Sequence, residues 1–289
     1  MNQPLLKVES ISLRFGGIVA LNKVSFEVKE GSVTAVIGPN GAGKTTMFNC
    51  ITGFYRAQEG RLSFREADGQ ETDLLALLGG QWKAADLSSP FGLIKKSVYG
   101  YFGGTHRVAR RGIARTFQNI RLFSEMSVIE NLLVAQHLKV NRNLVAGLLL
   151  TPGFRRAEAE ALELGFRWLQ KLGLEKHANS LAGSLPYGSQ RRLEIARAMC
   201  TKPRLVCLDE PAAGLNPRET RELSELILAL RDQSKVTVLV IEHDMPLVMG
   251  ISDHVVVLNY GEVIAAAAPA IVQNDPKVLA AYLGTEDEA

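Results

Sequence analysis

Ser32-Val33-Thr34-Ala35-Val36-Ile37, followed by Gly38-Pro39-Asn40-Gly41-Ala42-Gly43-Lys44-Thr45, is the stretch on which the reading of this chain turns. The first six residues are nearly all apolar, as in a strand buried on both faces of a sheet. A helix is expected from Thr45 to about Thr52, with Gly53 past its end. Strand, Gly-rich loop and helix in that order are the context of a phosphate-binding loop. The glycines let consecutive backbone N–H groups turn toward phosphate oxygens, and the helix N-terminus adds a partial positive charge. Lys44 has the reach for the terminal phosphates, and the Thr45 hydroxyl is placed to ligate Mg²⁺.

A nucleoside triphosphate site also needs an acidic group for the metal and a base for water. Asp209 follows the apolar strand Arg204 to Leu208 and suits the first role; Glu210, next to it, suits the second. Downstream, α and β alternate. Asn216-Pro217-Arg218-Glu219 reads as a capping box with Pro at the first helical position. Val236 to Ile241 is a second all-apolar strand ending at Glu242-His243, and Val255 to Ala265 reads as a hairpin around Asn259-Tyr260-Gly261. Upstream, strands are expected at Leu5 to Ile11 and Val24 to Val28.

Between these α/β parts the pattern changes twice. Glu66 to Arg111 carries seven glycines, and aromatics at Trp82, Phe91, Tyr99, Tyr101 and Phe102. It reads as an insertion with little regular structure, a tolerated surface elaboration before a partner contact. Ser127 to Leu172 turns helical, with Phe154, Ala157, Ala161, Leu164, Trp168 and Leu172 spaced as one packing face. Arg107, Arg110, Arg111 and Arg115 read as a solvated basic helix face.

The 289 residues are 46% hydrophobic and 22% charged, which excludes disorder or a collagen-like repeat for the whole chain. A net charge of +3 is too small and scattered to argue for nucleic acid. No apolar run, Leu144 to Leu150 included, reaches the ~18 residues of a membrane span. Lys7, Glu9 and Arg14 deny the N-terminus a signal-peptide core. Cys50, Cys200 and Cys207 share no metal or redox spacing and read as reduced packing residues. The acidic Glu286-Asp287-Glu288 reads as a frayed end.

Leu185-Pro186-Tyr187-Gly188-Ser189-Gln190-Arg191-Arg192-Leu193-Glu194-Ile195-Ala196-Arg197-Ala198 resembles the signature and signature helix of the ABC transporter ATPases. Gln118 in Arg115-Thr116-Phe117-Gln118 is similar to that family's Q-loop glutamine, His243 to its switch histidine, and Phe15 to its adenine-stacking aromatic. Ala213-Gly214-Leu215-Asn216 occupies the D-loop. Glu210 to Pro217, Ile241 to Met245 with Gly250 to Asp253, and Ala281 to Gly284 resemble the ATP-binding subunit of high-affinity branched-chain amino acid importers. Two positions depart from the family pattern: Pro186 stands where Ser is common, and Ser189 where Gln is usual. Pro186 has no N–H or hydroxyl to offer a phosphate.

The resemblance implies a phosphate-loop ABC ATPase fold, an α/β mixed sheet core with an N-terminal antiparallel part and a mostly helical subdomain. It implies one domain over 1–289, with the core in 1–117 and 193–289, the insertion at 66–111 and the helical part at 118–192. Its cofactors are ATP and Mg²⁺. It implies ATP contacts from Phe15, Gly38, Pro39, Asn40, Gly41, Ala42, Gly43, Lys44, Thr45 and Thr46, and metal contacts from Thr45, Gln118 and Asp209. Glu210, His243 and Gln118 are the implied catalytic residues, while Leu185, Tyr187, Gly188, Ser189 and Gln190 face a partner's ATP.

The implied protein is the ATPase subunit of an importer, peripheral on the cytoplasmic face of the inner (plasma) membrane. Its partners are a second ABC ATPase (a heterodimer before a homodimer), integral permease subunits and, indirectly, a solute-binding protein, with no nucleic acid. The alternatives are a soluble ABC ATPase acting as an assembly scaffold, or one of translation or repair. The single cassette speaks against translation types and the lack of a long coiled coil against repair types. A GTPase lacks support, because Asn22-Lys23-Val24-Ser25 has no Asp to read the base.

Overall fold

Alternation of apolar and polar residues builds the first sheet. In β1 (Pro4–Phe15) and β2 (Ile18–Lys29) the inward side chains Leu6, Val8, Ile11, Leu21, Val24, Phe26 and Val28 are fully or nearly buried. These strands pair antiparallel across Gly16-Gly17 and run well beyond the apolar cores expected at Leu5 to Ile11 and Val24 to Val28. The extension carries Arg14, Asn22 and Lys23, polar residues that the ladder holds on its solvent side. The computed structural model describes residues 3–79, 104–137 and 151–283.

The phosphate-loop strand is β3 (Val33–Ile37), followed by a helix over Lys44–Ile51. Next come β4 (Glu59–Arg65), β5 (Glu71–Asp73) and a short helix Leu74–Leu77, whose N-cap Asp73 accepts the Leu75 N–H. A helix Thr105–Arg110 leads into β6 (Ile113–Arg115). The segment 66–111 is therefore regular at both ends, contrary to the expectation of little structure. The β5 pairing to β4 and the Asp73 cap supply local partners that the glycine count did not suggest. Its middle, with the five aromatics, lies outside the described residues, as do Leu144 to Leu150 and the acidic tail.

Helices then dominate: Val128–Ala135, Pro152–Lys171 and Tyr187–Met199. In the second, Ala161, Trp168 and Leu172 are buried and Phe154, Ala157 and Leu164 half-buried, which is the face read from their spacing. The α/β alternation resumes with β7 (Leu205–Asp209), a helix Pro217–Asp232, β8 (Thr237–Ile241), a helix Met245–Ile251 and the hairpin β9 (His254–Asn259) and β10 (Glu262–Ala267). The Asn216 side chain accepts the Arg218 and Glu219 N–H groups while Glu219 accepts the Asn216 N–H, completing the expected capping box. Short helices Pro269–Val272 and Pro276–Leu283 end the described chain.

The antiparallel sheet has the order β2-β1-β4-β5 and the second sheet β10-β9-β3-β8-β7-β6. In the latter only β10 is antiparallel; β9, β3, β8, β7 and β6 are parallel. This is the α/β mixed core with an N-terminal antiparallel part expected from the resemblance. Met47, Phe48 and Ile51 of the phosphate-loop helix share a hydrophobic core with β1, β2, β4 and the inward residues of the central strands. At about 1.5–3 kcal/mol for each large apolar side chain buried, that core anchors the loop's helix.

The chain parts into two compact units. The first comprises Met1–Arg115, Arg204–Glu210 and Ile227–Ala289 and holds both sheets; the second comprises Thr116–Pro203 and Pro211–Leu226 and is helical. The changeovers fall at Arg115/Thr116, Pro203/Arg204, Glu210/Pro211 and Leu226/Ile227, where the sequence reading set 117/118 and 192/193 and kept 193–289 whole.

Candidate active site

In the first unit, β3, β8 and β7 lie side by side and parallel, so their C-terminal ends open together at one edge. Crevices at such edges are where α/β sheets bind ligands. The phosphate loop leaves β3, Asp209-Glu210 ends β7, and His243 follows β8 by two residues.

Two glycines of the loop are forced by geometry. Gly38 has φ +147°, and a Cβ there would sit 2.0 Å from the Leu258 carbonyl oxygen. Gly43 has φ +98°, with the Ala20 carbonyl oxygen 2.7 Å from where a Cβ would be. Gly43 is also the N-cap of the loop helix and offers no side-chain oxygen, so the first-turn amides are left for an anion. Pro39 and Ala42 are buried and Asn40 and Gly41 exposed; Thr45 is exposed and Thr46 half-buried.

The Lys44 ammonium donates to the carbonyl oxygens of Gly38 at 2.7 Å and Pro39 at 2.8 Å, which poises it over the loop. Burial lowers its pKa, and the nearby negative charge of Glu210 opposes that shift. Glu210 has φ +44°, a conformation L side chains rarely adopt, and its N–H donates to the Ile241 carbonyl at 3.0 Å. Backbone strain of this kind concentrates at functional positions. His243 is exposed at the edge, with its N–H donating to the Glu242 carboxylate at 3.1 Å.

Asp209 is 3% exposed and paired with Arg115 at 2.7 Å. That corrects the reading of Arg107, Arg110, Arg111 and Arg115 as one solvated face. Arg115 is in a strand and buried in the ion pair, Arg107 donates to the Leu77 carbonyl at 2.7 Å, and Arg111 pairs with Glu66. Tertiary partners that are remote in sequence disperse the cluster.

Phe15, at the end of β1, is 46% exposed and meets Tyr55 edge-on, with ring centroids 5.2 Å apart. It is thus an exposed residue and not part of the core. Tyr55 is a partner the sequence did not announce. Nor did it announce Gly261, whose N–H donates to the Ala42 carbonyl at 3.1 Å, tying the β9–β10 turn to the phosphate loop.

In the second unit, Gln118 is exposed and its backbone is clamped. Arg191, fully buried, donates to the carbonyls of Phe117 and Gln118, both at 2.7 Å, and to Glu194 at 2.9 Å. Glu194 also accepts the Arg121 N–H at 3.3 Å. Burial raises the Glu194 pKa, against the pull of Arg191 and the backbone donors.

The signature residues surround the N-terminus of the Tyr187–Met199 helix. Pro186 is its N-cap, with no side-chain bond to the first turn. Leu185 is buried, and the Gln190 amide donates back to its carbonyl at 2.9 Å. Tyr187 donates to the Ala213 carbonyl at 3.2 Å, and Ser189 accepts from Arg192 at 3.2 Å. What this N-terminus offers an anion is therefore its amides; Gly188 itself is buried, against the Glu219 side chain.

Among the described residues no group of three or more His, Cys, Asp or Glu side chains forms a metal cage. A Thr hydroxyl and one carboxylate are instead the hard-oxygen, phosphate-sharing donor set suited to Mg²⁺.

Residues 21–213 match the family described as ABC transporter, and residues 262–288 the family described as branched-chain amino acid ATP-binding cassette transporter. The high-affinity branched-chain amino acid transport ATP-binding protein LivG of Salmonella typhimurium is 50% identical over 98% of this chain and 99% of its own. BraF of Pseudomonas aeruginosa, which bears the same description, is 49% identical over the same shares. Among solved structures, an ATP-binding cassette of an ABC transporter in its ADP conformation superposes with a TM-score of 0.73. It is 32% identical and covers 98% of this chain and 99% of its own. A nucleotide-free cassette gives 0.72 at 31% identity, over 97% of this chain and 99% of its own. The chain belongs to the ABC transporter family and, at this identity over nearly its whole length, to the branch that these relatives form.

Proposed function

We propose that this chain is the ATP-binding and ATP-hydrolysing subunit of an ABC importer for branched-chain amino acids, acting as one domain over 1–289. The observation that carries the ATPase reading is the convergence of the phosphate loop, Asp209-Glu210 and His243 at the ends of three adjacent parallel strands. The solute class comes from the relatives, since the solute never touches this subunit.

In this reading the loop amides, Lys44 and Thr46 hold the phosphates of ATP, and Phe15 stacks on adenine. Thr45, Asp209 and Gln118 would hold Mg²⁺, which when bound neutralises charge on the phosphates. Glu210 takes a proton from the attacking water, and His243 steadies the γ-phosphate end. A second ABC ATPase supplies its signature to this nucleotide, and this chain's Leu185 to Gln190 region faces the partner's. ATP bridges the closed pair, so closure follows from its higher affinity for that state.

No described helix is long and apolar enough to cross a membrane. In this reading attachment runs through integral permease subunits at the cytoplasmic face, with a solute-binding protein on the far side. Phe123, Val134, Leu162 and Phe166 of the helical unit are each at least 38% exposed, and suit a protein contact. Expressed alone, the chain is expected in the soluble fraction; with its permease it is expected to sediment with membranes and copurify in mild detergent. Membrane binding in the absence of any partner would contradict this attachment.

The between-subunit site has its own test. Gly188 is buried, and a Cβ there would lie 2.4 Å from a carboxylate oxygen of Glu219, whose other oxygen accepts the Asn216 N–H. Gly188→Asp therefore displaces Glu219 from the capping box and sets two carboxylates side by side, which costs more than the ~0.5–2 kcal/mol of a lost cap, so a melting curve must first show the variant folded. It sets negative charge where the partner's γ-phosphate docks. The isolated variant is expected to bind a fluorescent ATP analogue like wild type, while the assembled transporter loses hydrolysis. Loss of binding in the folded, isolated variant would place the signature in the same molecule's site.

A further inference from the structure

Arg115 is the least explained charge in the first unit. It ends β6, in register with Cys207 of β7, and both terminal nitrogens of its guanidinium are engaged. Nη2 donates to Asp209 Oδ2 at 2.7 Å; Nη1 donates to Asn49 Oδ1 at 2.6 Å and to Thr52 Oγ1 at 3.0 Å. The Thr52 hydroxyl gives its own proton to the Phe48 carbonyl at 2.6 Å, which leaves its lone pairs for Arg115. The rings of Phe54 and Phe48 lie 5.2 and 6.0 Å from the guanidinium carbon. The two side chains of the ion pair are 9% and 5% exposed.

Asn49 and Thr52 belong to the phosphate-loop helix and its C-cap, so one cation ties the end of β7 to the element that carries Lys44 and Thr45. A buried ion pair is a poor device for stability, because desolvation offsets the attraction. It is a good device for fixing a carboxylate. Guanidinium stays charged at any working pH, and its planar fork serves two acceptors in one orientation, which a Lys ammonium does not.

We propose that Arg115 is a positioning residue for the metal carboxylate: it orients Asp209 and, as a permanent counter-charge, makes divalent-cation binding conditional on nucleotide. A cation that approaches Asp209 alone meets a guanidinium already bound to that carboxylate, and the repulsion is doubled by its own charge. The phosphates of ATP add the negative charge that overcomes it. The metal is thus held only together with its nucleotide. This inference rests on the reading of Asp209 as a metal ligand.

The test is Mn²⁺ binding by the full-length chain, followed through the EPR signal of free Mn²⁺, without nucleotide and with a non-hydrolysable ATP analogue. Wild type is expected to bind Mn²⁺ tightly only with the analogue. Arg115→Met and Arg115→Gln remove the charge, and Gln retains a hydrogen-bonding end in case Met fails to fold. Either is expected to bind Mn²⁺ alone roughly tenfold more tightly, with a smaller change in the presence of the analogue. Arg115→Lys, which keeps the charge, is expected to stay conditional. A merely structural Arg115 would shift the melting temperature of the variants but leave the two Mn²⁺ affinities in their wild-type ratio. That unchanged ratio in a folded Met or Gln variant overturns the proposal. Asp209→Asn separates the two ideas: if it leaves Mn²⁺–nucleotide binding intact, the assignment of Asp209 is what fails.

Discussion

Glu210→Gln is expected to lower steady-state ATP hydrolysis by roughly 10²–10⁴ while ATP still binds. The substitution is chosen for what it preserves. Glu210 holds φ +44° and donates its N–H to the Ile241 carbonyl at 3.0 Å. Gln has the same shape and places the same demand on the backbone. It leaves the Arg115–Asp209 pair and the loop amides in place, and removes the ability to take a proton together with the negative charge that faces Lys44. Phosphate release and equilibrium nucleotide titration on one preparation are the measurements. Turnover near the wild-type rate would remove Glu210 from the role of base.

Lys44→Ala is expected to cost ATP affinity about a hundredfold, since a charged hydrogen bond contributes about 1.5–3 kcal/mol and 1.4 kcal/mol is tenfold. The loss has two sources. The ammonium that reaches the terminal phosphates is gone, and the Gly38 and Pro39 carbonyls lose their 2.7 and 2.8 Å donor. The second source loosens the loop itself, so a melting curve belongs beside the titration. A folded Ala variant that binds the analogue as wild type does would exclude Lys44 from the phosphate contacts. Set beside Gly188→Asp, which is expected to spare binding by the isolated chain, the pair assigns the two halves of the site to different molecules.

Much of this site was legible because its chemistry is local. A phosphate loop is a backbone shape, and Gly38, Gly43, Lys44 and Thr45 lie within eight residues, so spacing alone carries them. Asp209 and Glu210 were recognisable as the residues that follow an apolar strand, while His243 rested on the resemblance to the family's switch histidine. A strand buried on both faces has to be apolar, and its polar successor lies at the sheet's edge. The Asn216 capping box and the helix face from Phe154 to Leu172 obey the same logic, since their partners are three or four residues away.

Other parts were not legible, because their partners are distant in sequence. Arg115 looks like one of four neighbouring arginines until β6 pairs with β7 and places Asp209, 94 residues on, against it. Arg191 and Glu194 look like an ordinary helical pair, yet their fork and carboxylate hold the backbone around Gln118, 73 residues back. The regular ends of the 66–111 segment depend on β5 finding β4, and the Ala42 contact depends on the β9–β10 turn reaching the loop. The sequence by itself determined the loop, the acid pair, the strands β1, β2, β3, β7 and β8, the β9–β10 hairpin and the helical middle, because those follow from short-range sterics and from the periodicity of burial. Which charges are neutralised, and which backbone is clamped, was decided only by tertiary structure. A buried charge is tolerable only where the fold delivers a partner to it, and a local pattern has no means of naming that partner.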